Sequence, residues 1–139
     1  MKSYVRLLNH TSDLGIKVYA ESLPELFTAA GRALMKLMVD LDSVRPIEQR
    51  NIKVRAGEID LLFREWLSEL LALFHNEEFL VSRIAKVRIN NSQISALIYG
   101  EKFDKNRHEI RRELKSITYH QLGVKFDGKR YIGTFIIDV

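Results

Sequence analysis

The chain has no cysteine. Disulfides, thiolate zinc sites and cysteine nucleophiles are therefore excluded, and the composition suits a reducing cytosol. No apolar run approaches the ~18 residues that a spanning helix needs. The start, Met1-Lys2-Ser3-Tyr4-Val5-Arg6, lacks the apolar stretch of a signal peptide. The expectation is a soluble, cytoplasmic protein with no membrane partner. Phosphate-binding and catalytic signatures are missing too: there is no P-loop, no dinucleotide Gly-x-Gly-x-x-Gly, no Gly-x-Ser-x-Gly elbow and no His-Glu-x-x-His. The aromatic signature of RNA-recognition domains is also absent. Charge of one sign does not dominate. With 22 basic against 18 acidic residues, the net of +4 permits contact with RNA or an acidic protein surface and specifies neither.

The two prolines, Pro24 and Pro46, fall at a helix start and in a connection, so no element interior is broken. Without repeats, low-complexity tracts or a linker, the 139 residues read as a single domain, 1–139, large enough for a real core. One helix starts at Ser22, with Glu25 at capping-box spacing, and continues through Leu26, Phe27, Ala30, Leu34, Leu37, Met38 and Leu41 on one face. A second carries Ile59, Leu62, Phe63, Trp66, Leu67, Leu70, Leu71 and Phe74 at the same period, a stripe that belongs to the core. Strands are expected over Val5–Leu8, Ile16–Ala20, Ile47–Arg55, Ser82–Ile89, Ile94–Tyr99, Ser116–Phe126 and Arg130–Ile137. Asn90-Asn91-Ser92 marks a turn, and Asp127-Gly128 a type I′ hairpin. The order implies an α+β fold: a mostly antiparallel sheet, curled or barrel-like, with two helices packed on one side. Ile132, Phe135, Ile136 and Ile137 are apolar at both alternating positions, as in a strand covered on both faces.

Three segments carry chemistry. Asp138-Val139 places a side-chain carboxylate beside a terminal carboxylate, at the end of the apolar run Tyr131–Ile137. His10-Thr11-Ser12-Asp13-Leu14-Gly15 sets another carboxylate between two apolar stretches. Should the fold bring Asp13 to Asp138, three oxyanions converge, and a hard cation would relieve their repulsion. The same residues also fit a turn whose Thr11, Ser12 and Asp13 side chains cap local N–H groups, and an end strand with one solvated acid. Lys115-Ser116-Ile117-Thr118-Tyr119-His120 offers a cation, two hydroxyls and an imidazole. A continuous strand there would put Thr118 and His120 on one face. Between 102 and 115 gather Lys102, Lys105, Arg107, Arg111, Arg112 and Lys115, diluted by Glu101, Asp104, Glu109 and Glu113, which reads as a solvated mixed-charge loop.

Four segments in order resemble the archease family: His10–Gly15, Asp60–Leu71, Lys115–His120 and the closing Asp138-Val139. The resemblance spans essentially the whole chain. One departure is Tyr131, where the family often has a tryptophan. What it implies is a non-catalytic, metal-binding accessory protein. Its partner would be the GTP-dependent RNA-splicing ligase of tRNA splicing and RNA repair, whose guanylylation and multiple turnover it promotes. RNA would be met through that ligase. The implied cofactor is a divalent cation, calcium first, with magnesium or manganese as alternatives. The implied ligands are Asp13, Asp138 and the terminal carboxylate or carbonyl of Val139, with His10, Lys115 and His120 nearby as supporting or partner-contacting residues. Two rival readings stand beside it: a metal-dependent phosphoesterase using Asp13, Asp138 and His120, and a general RNA-binding or chaperone-like module.

Overall fold

A computed structural model describes residues 3–9 and 13–139. His10, with Thr11 and Ser12, lies outside the described residues. Ser22 caps helix α1 (Leu23–Met38) as its spacing predicts. Its hydroxyl donates to the Glu25 carboxylate at 2.6 Å and accepts the Glu25 N–H at 3.4 Å. The helix stops at Met38, short of the expected Leu41, because Val39 turns to extended backbone. A 3₁₀ turn (Leu41–Ser43) follows, with the Asp40 carboxylate accepting the Asp42 N–H. Helix α2 (Ile59–Glu77) ends at Glu78, whose left-handed backbone (φ 55°) lets its N–H reach the Phe74 carbonyl at 2.8 Å.

The described residues also form eight strands: β1 (Tyr4–Asn9), β2 (Asp13–Ala20), β3 (Glu48–Arg55), β4 (Phe79–Ile89), β5 (Gln93–Lys102), β6 (Ser116–Ile117), β7 (Gly123–Phe126) and β8 (Tyr131–Asp138). They form two antiparallel sheets. One runs β1-β2-β8-β6, with β7 also on β8; the other runs β3-β5-β4. The α+β class stands, but among the described residues neither sheet closes into a barrel. Each helix touches both sheets, α1 chiefly β4, β2 and β8, α2 chiefly β4, β7 and β3. Their shared core holds Trp66, Phe27, Phe63 and Phe135, all fully buried. Phe63 packs edge-on against Phe27 at 5.1 Å and against Phe135 at 5.6 Å. Burying each such side chain stabilises by about 1.5–3 kcal/mol. The Trp66 indole N–H donates to the Phe27 carbonyl at 2.9 Å, so its one polar atom is satisfied inside that core.

Two local expectations fail for identifiable reasons. Ser116–Phe126 is not one strand. After Ile117 the chain turns, with Gln121 in the left-handed region (φ 53°), and pairing with β8 resumes only at Gly123. Asp127-Gly128 is not a type I′ turn, which needs positive φ at both central residues. Only Gly128 has it (φ 97°), and the Asp127 carboxylate instead accepts the N–H groups of Lys129 and Arg130 across a four-residue loop. The two-sided coverage expected of the last strand is realised at its end, where Phe135, Ile136 and Ile137 are all buried.

Candidate functional site

The antiparallel β2–β8 register places Asp13 directly opposite Asp138. Residues paired in this way share a face, with Cβ atoms about 4.5–5.5 Å apart. The buried partners Ile16, Val18 and Phe135, Ile137 define the inner face, so both carboxylates project from the outer one. On the other flank of Asp138 stands Ser116, its register partner in β6. The Lys115 N–H donates to the Asp138 carbonyl at 2.8 Å, and the Val139 side chain packs on the core. The end of β8 is thus held from both sides.

Like charges facing each other across a ladder are destabilising. None of the ion pairs among the described residues includes Asp13 or Asp138. Two carboxylates and the Val139 oxygens are hard donors, the class that suits calcium, magnesium and manganese. The donor set fits such a cation, though it falls short of a full shell. No group of three or more His, Asp or Glu side chains is gathered for a metal among the described residues. Backbone oxygens, water or a partner would have to supply the rest.

The other candidates lie at different removes. Lys115 meets Asp138 through its backbone. His120 is exposed in the turn after β6, its N–H on the Thr118 hydroxyl at 3.2 Å, and the antiparallel register leads it away from the Asp138 end of β8.

Sequence reasoning missed what positions β6 and β7. Asp60, on the first turn of α2, accepts the Val124 N–H at 2.8 Å. One turn later, Arg64 donates to the Ile117 carbonyl at 3.1 Å and lies 4.0 Å over the Tyr119 ring. The polar edge of α2 therefore clamps β6, which flanks Asp138, and β7, which pairs with the other end of β8. A second unforeseen feature is Glu101, which is buried rather than solvated. Burial alone would raise its carboxyl. The Arg45 N–H, the Arg107 guanidinium and the His108 ring outweigh that, and its pKa falls from 4.5 to about 2. His108 Nδ1 accepts the Asp104 N–H, so Nε2 carries the proton directed at Glu101, 2.9 Å away. This network ties down the segment read from sequence as a solvated loop, which also buries Leu114. A groove of about 730 Å³ runs between Ser3–Val5, α1 and residues 84–87 of β4, and none of Asp13, Asp138, Lys115 or His120 lines it.

Two open antiparallel sheets on a helix pair, with paired carboxylates where β2 and β8 meet, define a small α+β domain of one particular type. A sequence profile of the archease protein family matches residues 5–139. The chain is 34% identical over 131 residues to protein archease of Sulfurisphaera tokodaii, with 94% of each chain covered. It is 36% identical over 135 residues to protein archease of Thermococcus gammatolerans, again with 94% of each covered. Among solved structures, that of a Methanobacterium thermoautotrophicum protein superposes with a TM-score of 0.83 at 24% identity, covering 97% and 98% of the two chains. The crystal structure of a Thermotoga maritima archease, described as a possible chaperone, gives 0.68 at 16% identity, covering 95% and 94%. The last two comparisons bear on the fold. The chain belongs to the archease family.

Proposed function

We propose that this protein is a divalent-cation-binding accessory protein that activates the GTP-dependent RNA-splicing ligase without catalysing a step itself. The observation that carries this reading is the opposition of Asp13 and Asp138 across the β2–β8 ladder. A cation bound there would neutralise the two carboxylates and keep coordination positions open to oxygens of the ligase or its nucleotide. The chain's own residues support the strand end: Ser116 and Lys115 flank Asp138, Val139 packs against the core, Arg64 fixes β6 beside Asp138, and Asp60 fixes β7 further along β8. A preorganised, partly filled site on a rigid strand end suits a surface that reshapes a partner's active site rather than one that turns over a substrate. Calcium is the cation proposed first, with magnesium and manganese as alternatives.

The test is co-purification with the RNA ligase, followed by ligation with RNA ends in large excess over enzyme. Product beyond one equivalent of ligase, formed only when this protein is present, is the expected result. Hydrolysis of RNA ends by this protein alone, lost in Asp13→Ala, would replace the accessory reading with an enzymatic one.

A further inference from the structure

The basic half of the same outer face carries a constellation that no sequence motif announces, because the strand register assembles it from four strands and a loop. One row across the first sheet reads Tyr4, Tyr19, Ile132 and Lys125. The next reads Arg6, Lys17, Thr134 and Gly123. Tyr4 and Tyr19 are stacked, with centroids 4.2 Å apart and planes 15° from parallel. The Arg130 guanidinium reaches over them from the β7–β8 loop, 4.4 Å from the Tyr19 ring and 5.3 Å from that of Tyr4. Tyr4 is 48% exposed, and Arg6 and Lys125 are exposed beside it. Of the four cations, only Arg130 has a carboxylate partner among the described residues, Asp127 at 3.6 Å.

We infer that this face binds single-stranded nucleic acid, its phosphates held by Arg6, Lys17, Lys125 and Arg130 and a base added to the Tyr4–Tyr19 stack. The chemistry selects that ligand. Cations spread over one face of a sheet attract a polyanion, and the aromatic stack offers a π-face that every unpaired base can use. A duplex hides its base faces and gains only the phosphate contacts. The ligand's extent is bounded as well. Asp13 and Asp138 stand on the same face four residues further along β2 and β8 from Lys17 and Thr134, about 13 Å at strand rise. In the metal-free protein phosphate is repelled there, so without a divalent cation the footprint is short and confined to the basic half. This inference rests on the register of the first sheet and holds whether or not the ligase is the partner.

The probe is a short fluorescein-labelled oligoadenylate, as RNA and as DNA, titrated with the full chain across a salt series, with the same sequence as a duplex for comparison. Single strands are expected to bind at low salt with log K falling linearly in log salt. Tyr4→Ala should weaken binding about tenfold, while Tyr4→Phe, which keeps the ring, should bind as the unaltered protein does. Lys17→Glu and Lys125→Glu should weaken binding and flatten the salt dependence by about 0.7 in slope for each cation removed. Lys53→Glu, a charge change of the same kind on the exposed face of the second sheet, should leave binding unchanged. Binding of RNA and DNA alike, or of one in preference, is the inferred activity with or without a sugar contact. No saturable binding at low salt, duplex binding as tight as single-stranded, equal loss in Lys53→Glu, or no loss in Tyr4→Ala would each overturn it.

Discussion

Asp13 and Asp138 are direct cross-strand partners on the outer face of the β2–β8 pair. Two carboxylates held this close repel one another, and that repulsion is a measurable property of the metal-free protein. Asp138→Asn removes one charge while keeping the shape. In chelator it should therefore be more stable than the parent by about 0.2–1 kcal/mol, a rise of a few degrees in Tm. Calcium should reverse the order. At a hundredfold excess over Kd it adds about 2.7 kcal/mol to the parent and little to the variant. Thermal unfolding with and without calcium reads both effects, and an equal calcium response in the two proteins would place the cation elsewhere.

The buried Glu101 predicts a pH window. Its carboxyl titrates at about 2 in the folded chain against an ordinary 4.5. A depressed folded pKa gives stability that is fully present above the unfolded value and lost as pH falls toward the folded one. The parent should therefore lose stability between about pH 4.5 and pH 2 through this group. Glu101→Gln, unable to ionise, should be less stable at neutral pH and should lack that part of the acid slope. Melting curves from pH 7 to pH 2 decide, and parallel slopes would mean that the Arg45, Arg107 and His108 contacts do not hold the charge.

Two glycines make a contrasting pair. A Cβ added at Gly100 would overlap the Leu80 carbonyl on the neighbouring strand, a backbone atom that cannot step aside. One added at Gly57 would meet nothing within 4 Å. Gly100→Ala should cost about 3 kcal/mol or prevent folding. Gly57→Ala should be neutral or stabilise by about 0.4–1 kcal/mol through the unfolded chain. Denaturant titration checks both, and a tolerated Gly100→Ala would mean that the β4–β5 pair is looser than its geometry.

Local rules made much of the fold legible. Ser22 and Glu25 marked the start of α1, the spacing from Ile59 to Phe74 marked α2, and the run Phe135-Ile136-Ile137 marked a strand covered on both faces. Each depends on neighbours within a few residues. What stayed hidden depends on register and burial. The break between Ile117 and Gly123 arises from the left-handed Gln121, which no residue type announced. Glu101 lies among opposite charges in sequence, and only the packing of His108 reveals it as the centre of a buried network. Asp13 and Asp138, far apart in the chain, could be joined in sequence only as a condition, and the register supplies their meeting. The same register aligns Tyr4 with Tyr19 and Arg6 with Lys17, pairs that carry no periodic signal of their own.

In the proposed function the carboxylate pair is the part of the protein that acts on the ligase. The most direct measurement is the rate of ligase guanylylation from GTP, in fixed calcium, with the parent, Asp13→Ala or Asp138→Ala present at equal concentration. Each variant should retain a folded melting transition. Strong stimulation is expected from the parent and at least a tenfold loss in each variant, about 1.4 kcal/mol in the coupled step. Stimulation undiminished in folded Asp13→Ala and Asp138→Ala would contradict it.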